Sequence, residues 1–187
     1  MANLKDDKKL YFIGLIPNQE VSNKVMELKN YMADHHHCKA PLRSPPHITL
    51  YMPFQWKEYE ELELSLKLQE FADEQRSFEI HINGFDSFSP RVIFIKIEEN
   101  EYLQKLKKNL NRFLKRGFQL FDGDYKRRGF RPHITIAFRD LRKSEYFKAW
   151  EKFEYENFDE IFKCNNICLI KHTGKKWEIF SKLYFGK

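Results

Sequence analysis

The sequence predicts an α+β fold made by internal duplication, with two lobes of similar layout. Three observations carry this expectation. The order strand, helix, strand, helix, strand occurs twice, with corresponding elements offset by roughly eighty to eighty-six positions. Two segments, Pro46-His47-Ile48-Thr49-Leu50 and Pro132-His133-Ile134-Thr135-Ile136, are nearly identical and hold matching places in that order. A chain of 187 residues, 42% hydrophobic, can bury one core or two small lobes sharing an interface. The repeats span approximately residues 9–86 and 91–184 of a single domain covering 1–187.

The first strand is Leu10 to Ile16, stopped by Pro17. A helix follows from about Asn18 to Ala33, with Val21, Val25 and Leu28 on one face and Asn18 as its N-cap. The next strand, His47 to Met52, is entered from Pro45-Pro46 and ended at Pro53. A second helix runs from about Lys57 to Gln75; Leu62, Leu66 and Phe71 lie near one face, and Leu64 and Leu68 broaden it. In Phe78 to Phe85, Phe78, Ile80 and Ile82 alternate with Glu79, His81 and Asn83, the pattern of a half-buried strand.

The order then restarts with a strand at Val92 to Ile97. A helix from Glu101 to Lys115 carries Leu103, Leu106, Leu110 and Leu114. A basic, glycine-punctuated loop from Gly117 to Gly129 leads to a strand at His133 to Phe138 and a helix at Lys143 to Phe153. Phe147, Trp150 and Phe153 recur at helical spacing and are expected in the core. Strands at Phe158 to Lys163, Ile167 to Lys171 and Trp177 to Tyr184 complete the chain, with Gly174 in the last turn.

Seven glycines and seven prolines exclude a low-complexity or fibrous chain. The formal charge of +6 suits a polyanionic partner such as RNA or a phosphorylated small molecule, and equally plain solubility. Cys38, Cys164 and Cys168 are odd in number and lack CxxC spacing, so reduced thiols and a cytoplasmic setting are expected. No stretch resembles a signal peptide and no apolar run approaches a membrane span, so no membrane partner is expected. A monomer is expected.

The paired segments carry the chemistry. In a strand, residues two apart share a face, so His47 and Thr49 point together, as do His133 and Thr135. Ile48 and Leu50, and Ile134 and Ile136, anchor the other face. Two imidazoles and two hydroxyls converging on one cleft suit a phosphodiester: one neutral imidazole takes a proton, one protonated imidazole gives one, and the hydroxyls donate to non-bridging oxygens. Unperturbed imidazole titrates near ~6.5, so a singly protonated pair is accessible near neutrality without metal.

The two His-x-Thr segments, with Phe88-Ser89-Pro90-Arg91-Val92-Ile93-Phe94-Ile95 between them, resemble the 2H phosphoesterase superfamily, and within it the bacterial 2′-5′ RNA ligase (RNA 2′,3′-cyclic phosphodiesterase) family. The resemblance implies a bilobal, pseudo-two-fold fold whose cleft lies between two antiparallel sheets flanked by helices. It implies metal-independent opening of 2′,3′-cyclic phosphates on RNA ends or small nucleotides, usually leaving a 2′-phosphate, or the making and breaking of 2′-5′ linkages. No cofactor and no metal is expected. By motif position His47 and His133 would be the acid–base pair, and Thr49 and Thr135 would hold the phosphate. The competing function is a non-catalytic module that binds a nucleotide or RNA end in the same cleft.

Further contacts are expected from Arg43, Tyr51, Arg128, Arg131 and Arg139. Tyr51 stands where many relatives carry a basic residue, and Phe138 takes the corresponding place after the second motif, with Arg139 one later. Tyr51 and Arg139 are expected on the same strand faces as their histidines, to stack on a base and to pair with a phosphate. Tyr125-Lys126-Arg127-Arg128-Gly129-Phe130-Arg131 reads as a basic rim guiding substrate. His35-His36-His37 lacks metal-ligand spacing, because adjacent residues point in different directions. His81 is expected to be exposed, and His172 lacks the His-x-Thr spacing.

Overall fold

A computed structural model describes residues 7–121 and 129–186. Among the described residues, eight antiparallel strands form one hydrogen-bonded sheet: β1 (Lys8–Leu15), β2 (Ile48–Lys57), β3 (Phe78–Phe88), β4 (Val92–Ile97), β5 (His133–Ala137), β6 (Asp159–Cys164), β7 (Asn166–His172) and β8 (Trp177–Tyr184). Their spatial order is β6-β3-β4-β5-β2-β1-β7-β8. The two expected sheets are its four-stranded halves. They join where β5 meets β2 at one residue pair, Ile48 opposite Ile134. Strands of both sequence halves stand in each half-sheet, since β3 pairs with β4 and β6, and β7 pairs with β1.

Four α-helices among the described residues cover the sheet: α1 (Gln19–His36), α2 (Glu61–Asp73), α3 (Glu101–Phe118) and α4 (Lys143–Phe153). α1 follows β1 yet packs on β5, and α3 follows β4 yet packs on β2. The long helices are thus exchanged between the halves, which staples them together more broadly than the single ladder pair does.

The duplication is visible residue by residue at an offset of 82. α1 and α3 are each 18 residues long. Asn18 and Asn100 cap them, their side-chain oxygens accepting from the N–H of Val21 (2.9 Å) and Leu103 (3.0 Å). His37 and Gln119 end them in left-handed backbone, at φ 56° and 54°. The second motif falls four residues beyond this offset.

Two sequence expectations are corrected here. Leu62 and Leu66 are exposed; the buried stripe of α2 is Leu64, Leu68, Phe71 and Ala72, which share one helical face at i, i+4, i+7 and i+8, whereas Leu62 and Leu66 stand two residues off that stripe and so on the opposite side. Phe147 is exposed, whereas Phe153 is fully buried and Trp150 partly so.

Strand β2 also continues past Pro53. Its register with β1 steps from Ile13↔Tyr51 to Tyr11↔Phe54, so Met52 and Pro53 both oppose Phe12. The missing proline N–H is tolerated at that bulge.

At Gly14 the neighbouring strand comes close. A Cβ there would lie 2.9 Å from the Ile48 carbonyl oxygen and 3.3 Å from the Phe12 ring. Gly14→Val is expected to push β1 from β2 and cost about 1–3 kcal/mol, read from denaturant unfolding. An unchanged midpoint would show that the strands separate freely.

Candidate functional site

The Ile48–Ile134 pair sets the geometry. In antiparallel register it places His47 beside Thr135 and Thr49 beside His133, around a local two-fold axis. Ile48 and Ile134 are fully buried in the helix-covered core, so the four polar side chains face the opposite surface. All four line one cleft of about 380 Å³, the size of a small-ligand site.

Both imidazoles are held alike. His47 Nδ1 is 2.7 Å from the Pro45 carbonyl oxygen, and His133 Nδ1 is 2.7 Å from that of Arg131. A carbonyl only accepts, so each Nδ1 carries the proton and each Nε2 is left to exchange one. Each ring also rests on a phenylalanine from the adjoining strand. Phe12 lies 4.6 Å from His47 and Phe94 lies 4.7 Å from His133, centroid to centroid.

Burial pushes the His47 imidazole down to about 4, and the nearby Lys29 ammonium adds to the effect. Burial likewise lowers His133, helped by the Arg131 guanidinium. In the protein by itself near neutrality, both are therefore neutral. An anion placed between them would oppose both shifts and favour a protonated ring.

The loop leading to His47 is fixed from two sides. The buried Lys29 Nζ donates to the carbonyls of Pro41 (3.2 Å) and Ser44 (3.0 Å), and burial lowers this ammonium to about 8. Asp140, just beyond the second motif, accepts from the N–H groups of Lys39 (2.9 Å) and Ala40 (3.0 Å). The approach to one histidine is thus tied to the turn that follows the other.

The outer residues divide. Arg43, Arg131 and Arg139 line the cleft. Arg131 lies 3.7 Å from Asp86 and over the Phe88 ring. Arg139 sits past the end of β5 in left-handed backbone at φ 61°, over Phe138. Its place in the cleft therefore comes from a turn and not from strand alternation. Arg128 and the segment from Tyr125 to it lie outside the described residues.

Tyr51 departs from expectation: it is 3% exposed, packed in the core against Phe54 and under Lys107. The reason is a bulge. The register steps from Ile13↔Tyr51 to Gly14↔Thr49, so Leu50 is an extra residue and the faces exchange beyond it. Met52 reaches the cleft instead.

Sequence reasoning missed Phe12, Phe94, His172 and Trp177. Phe12 and Phe94 differ by the 82-residue offset of the duplication, a signal that aligning the two first strands would have exposed. His172 and Trp177 face each other across the β7–β8 hairpin and line the cleft. Of the histidine triplet, His36 Nδ1 meets Glu145 at 3.1 Å, His35 Nδ1 accompanies the Tyr31 carbonyl, and His37 ends α1. Among the described residues no group of three or more His, Cys, Asp or Glu side chains is placed to hold a metal ion, and no helix is long and apolar enough to cross a membrane.

Comparison with known proteins bears on the family and the fold. A family model described as the 2′-5′ RNA ligase superfamily matches residues 17–176. A Bacillus pumilus (strain SAFR-032) protein named "Putative phosphoesterase" is 33% identical over 146 residues, covering 76% of this chain and 81% of its own. A protein of the same name from Geobacillus thermodenitrificans (strain NG80-2) is 31% identical over 146 residues, covering 76% and 79%. In fold the chain is similar to TT0787 of Thermus thermophilus, with a TM-score of 0.67, 18% identity and coverage of 95% and 98%. It is also similar to E. coli LigT, crystallised with 3′-AMP, with a TM-score of 0.66, 14% identity and coverage of 96% and 99%. With a family match across most of its length and relatives of this closeness, the chain belongs to the 2′-5′ RNA ligase superfamily of 2H phosphoesterases.

Proposed function

We propose that this chain is a metal-independent phosphodiesterase that opens 2′,3′-cyclic phosphates on RNA ends or small nucleotides. The observation that carries the reading is the matched pair of imidazoles, each with Nδ1 tied to a carbonyl and Nε2 left for proton exchange, in one cleft. Water attacks phosphorus as one neutral Nε2 takes its proton. The P–O3′ bond breaks as the other, protonated Nε2 delivers a proton to O3′, leaving a 2′-phosphate. Thr49 and Thr135 donate to the non-bridging oxygens, where charge grows. With a 5′-hydroxyl in place of water, the same transfer makes a 2′-5′ link. The fold neighbour E. coli LigT was crystallised with 3′-AMP, NADP+ and ATP, and nucleotides are the ligand class we assign to this cleft.

The test is product analysis. Adenosine 2′,3′-cyclic phosphate and a cyclic-ended oligonucleotide are incubated with the protein in EDTA, and 2′- and 3′-phosphates are resolved. A 2′-phosphate product is expected. Tight nucleotide binding without turnover on either substrate would support the non-catalytic module instead.

The pH profile has a definite sign. kcat/KM reports the free protein, in which one imidazole must carry a proton and both are depressed below 6.5. The protonated partner is lost as pH rises, so kcat/KM is expected to fall about tenfold per unit above about pH 7. A profile that is flat or rising toward alkali would contradict the paired-imidazole mechanism.

A further inference from the structure

The β7–β8 hairpin brings to the cleft a set of groups that neither proton transfer uses. His172 ends β7, Trp177 begins β8, and the two are cross-strand partners with ring centroids 4.8 Å apart at 70°. Phe12, the ring that backs His47, meets Trp177 at 4.9 Å and 73°. Both neighbours meet the indole steeply and neither stacks on it. Through Phe12, the indole centre lies within about 10 Å of the His47 ring, the dimension of a single nucleotide.

His172 differs from the other two cleft histidines in its tautomer. The Gly174 N–H donates to His172 Nδ1 at 3.1 Å. That nitrogen must be unprotonated, so the neutral ring carries its proton on Nε2. Gly174 makes this turn at φ 93°, a conformation that suits glycine. His172 is therefore a standing hydrogen-bond donor, whereas His47 and His133 present an open Nε2. The opposite wall is different in kind, with Arg131, Phe138 and Arg139.

An aromatic plate with one fixed donor, next to a phosphate site, has the chemistry to take a nucleobase: the π face packs and a ring nitrogen or carbonyl accepts. We infer that Trp177 and His172 form a nucleobase subsite, in which the base of the nucleotide bearing the cyclic phosphate packs on the indole and accepts from His172 Nε2–H. The inference deepens the phosphodiesterase reading and rests on it for its substrate. It also gives the substrate one orientation in a nearly two-fold cleft, with the base toward the hairpin and the remaining chain toward the arginines.

The test compares two substrates of the full chain: adenosine 2′,3′-cyclic phosphate and the 2′,3′-cyclic phosphate of methyl riboside, which has no base. The wild type is expected to favour the first about tenfold in kcat/KM. Trp177→Ala is expected to lose about tenfold of that preference, mainly through KM, while Trp177→Phe keeps most of it. Equal use of both substrates by the wild type, or an undiminished preference in Trp177→Ala, overturns the subsite. If neither substrate turns over, quenching of tryptophan fluorescence by adenosine 2′-monophosphate decides. Quenching in the wild type that is absent from Trp177→Phe supports the subsite while removing small cyclic nucleotides as substrates of the phosphodiesterase reading. The same response in both proteins overturns the subsite.

Discussion

His47→Ala and His133→Ala are each expected to lower kcat on a 2′,3′-cyclic phosphate by about 10²–10⁴-fold. Each removes one of the two proton transfers that the proposed reaction couples. The double variant is expected to be little worse than either single one, because groups acting as a unit are not additive. Folding should survive. Both rings are only partly buried at the cleft surface, and each gives up one hydrogen bond to a carbonyl beside the cleft. Single-turnover rates with circular dichroism on the same preparations check this. Near wild-type rates in either folded variant would remove that imidazole from the mechanism.

Ile134→Ala is expected to cost about 2–5 kcal/mol of stability, and Ile48→Ala the same. These side chains are fully buried and form the one ladder pair between the two half-sheets among the described residues. Truncation leaves a cavity where the sheet has least hydrogen bonding to hold it. The same pair sets His47 against Thr135, so the folded fraction should also lose rate. Denaturant unfolding and activity normalised to folded protein separate the two effects. A loss below about 1 kcal/mol, less than a buried Ile truncation costs, would show that the exchanged helices hold the halves together without this seam.

Local chemistry explains what could be read from residue order. Asn18 was recognisable as a cap because a short side chain ahead of an apolar stripe has one favourable use. The His-x-Thr pairs were recognisable because strand alternation fixes which residues face together within a few positions. The same rule failed at Tyr51. Two bulges in β2 each add a residue; the first flips the faces, so a tyrosine expected over the substrate lies in the core, and the second restores the alternation, so Phe54 is again buried. Leu62 and Leu66 misled for a different reason: Phe71 shares its helical face with Leu64 and Leu68, at i+7 and i+3, and not with Leu62 or Leu66.

The amino-acid order alone was enough for the duplication, the two motifs and the class of chemistry they suit, since these depend on periodicity and residue type over short spans. Long-range packing settled the rest. That the imidazoles share one cleft depends on a single antiparallel pair 86 positions apart in the chain and on helices exchanged between the halves. Depressed imidazole basicity, the aromatic backing from Phe12 and Phe94, and the hairpin wall of His172 and Trp177 arise only when distant segments exclude water together. Burial belongs to the assembled surface, and no stretch of residues carries it by itself.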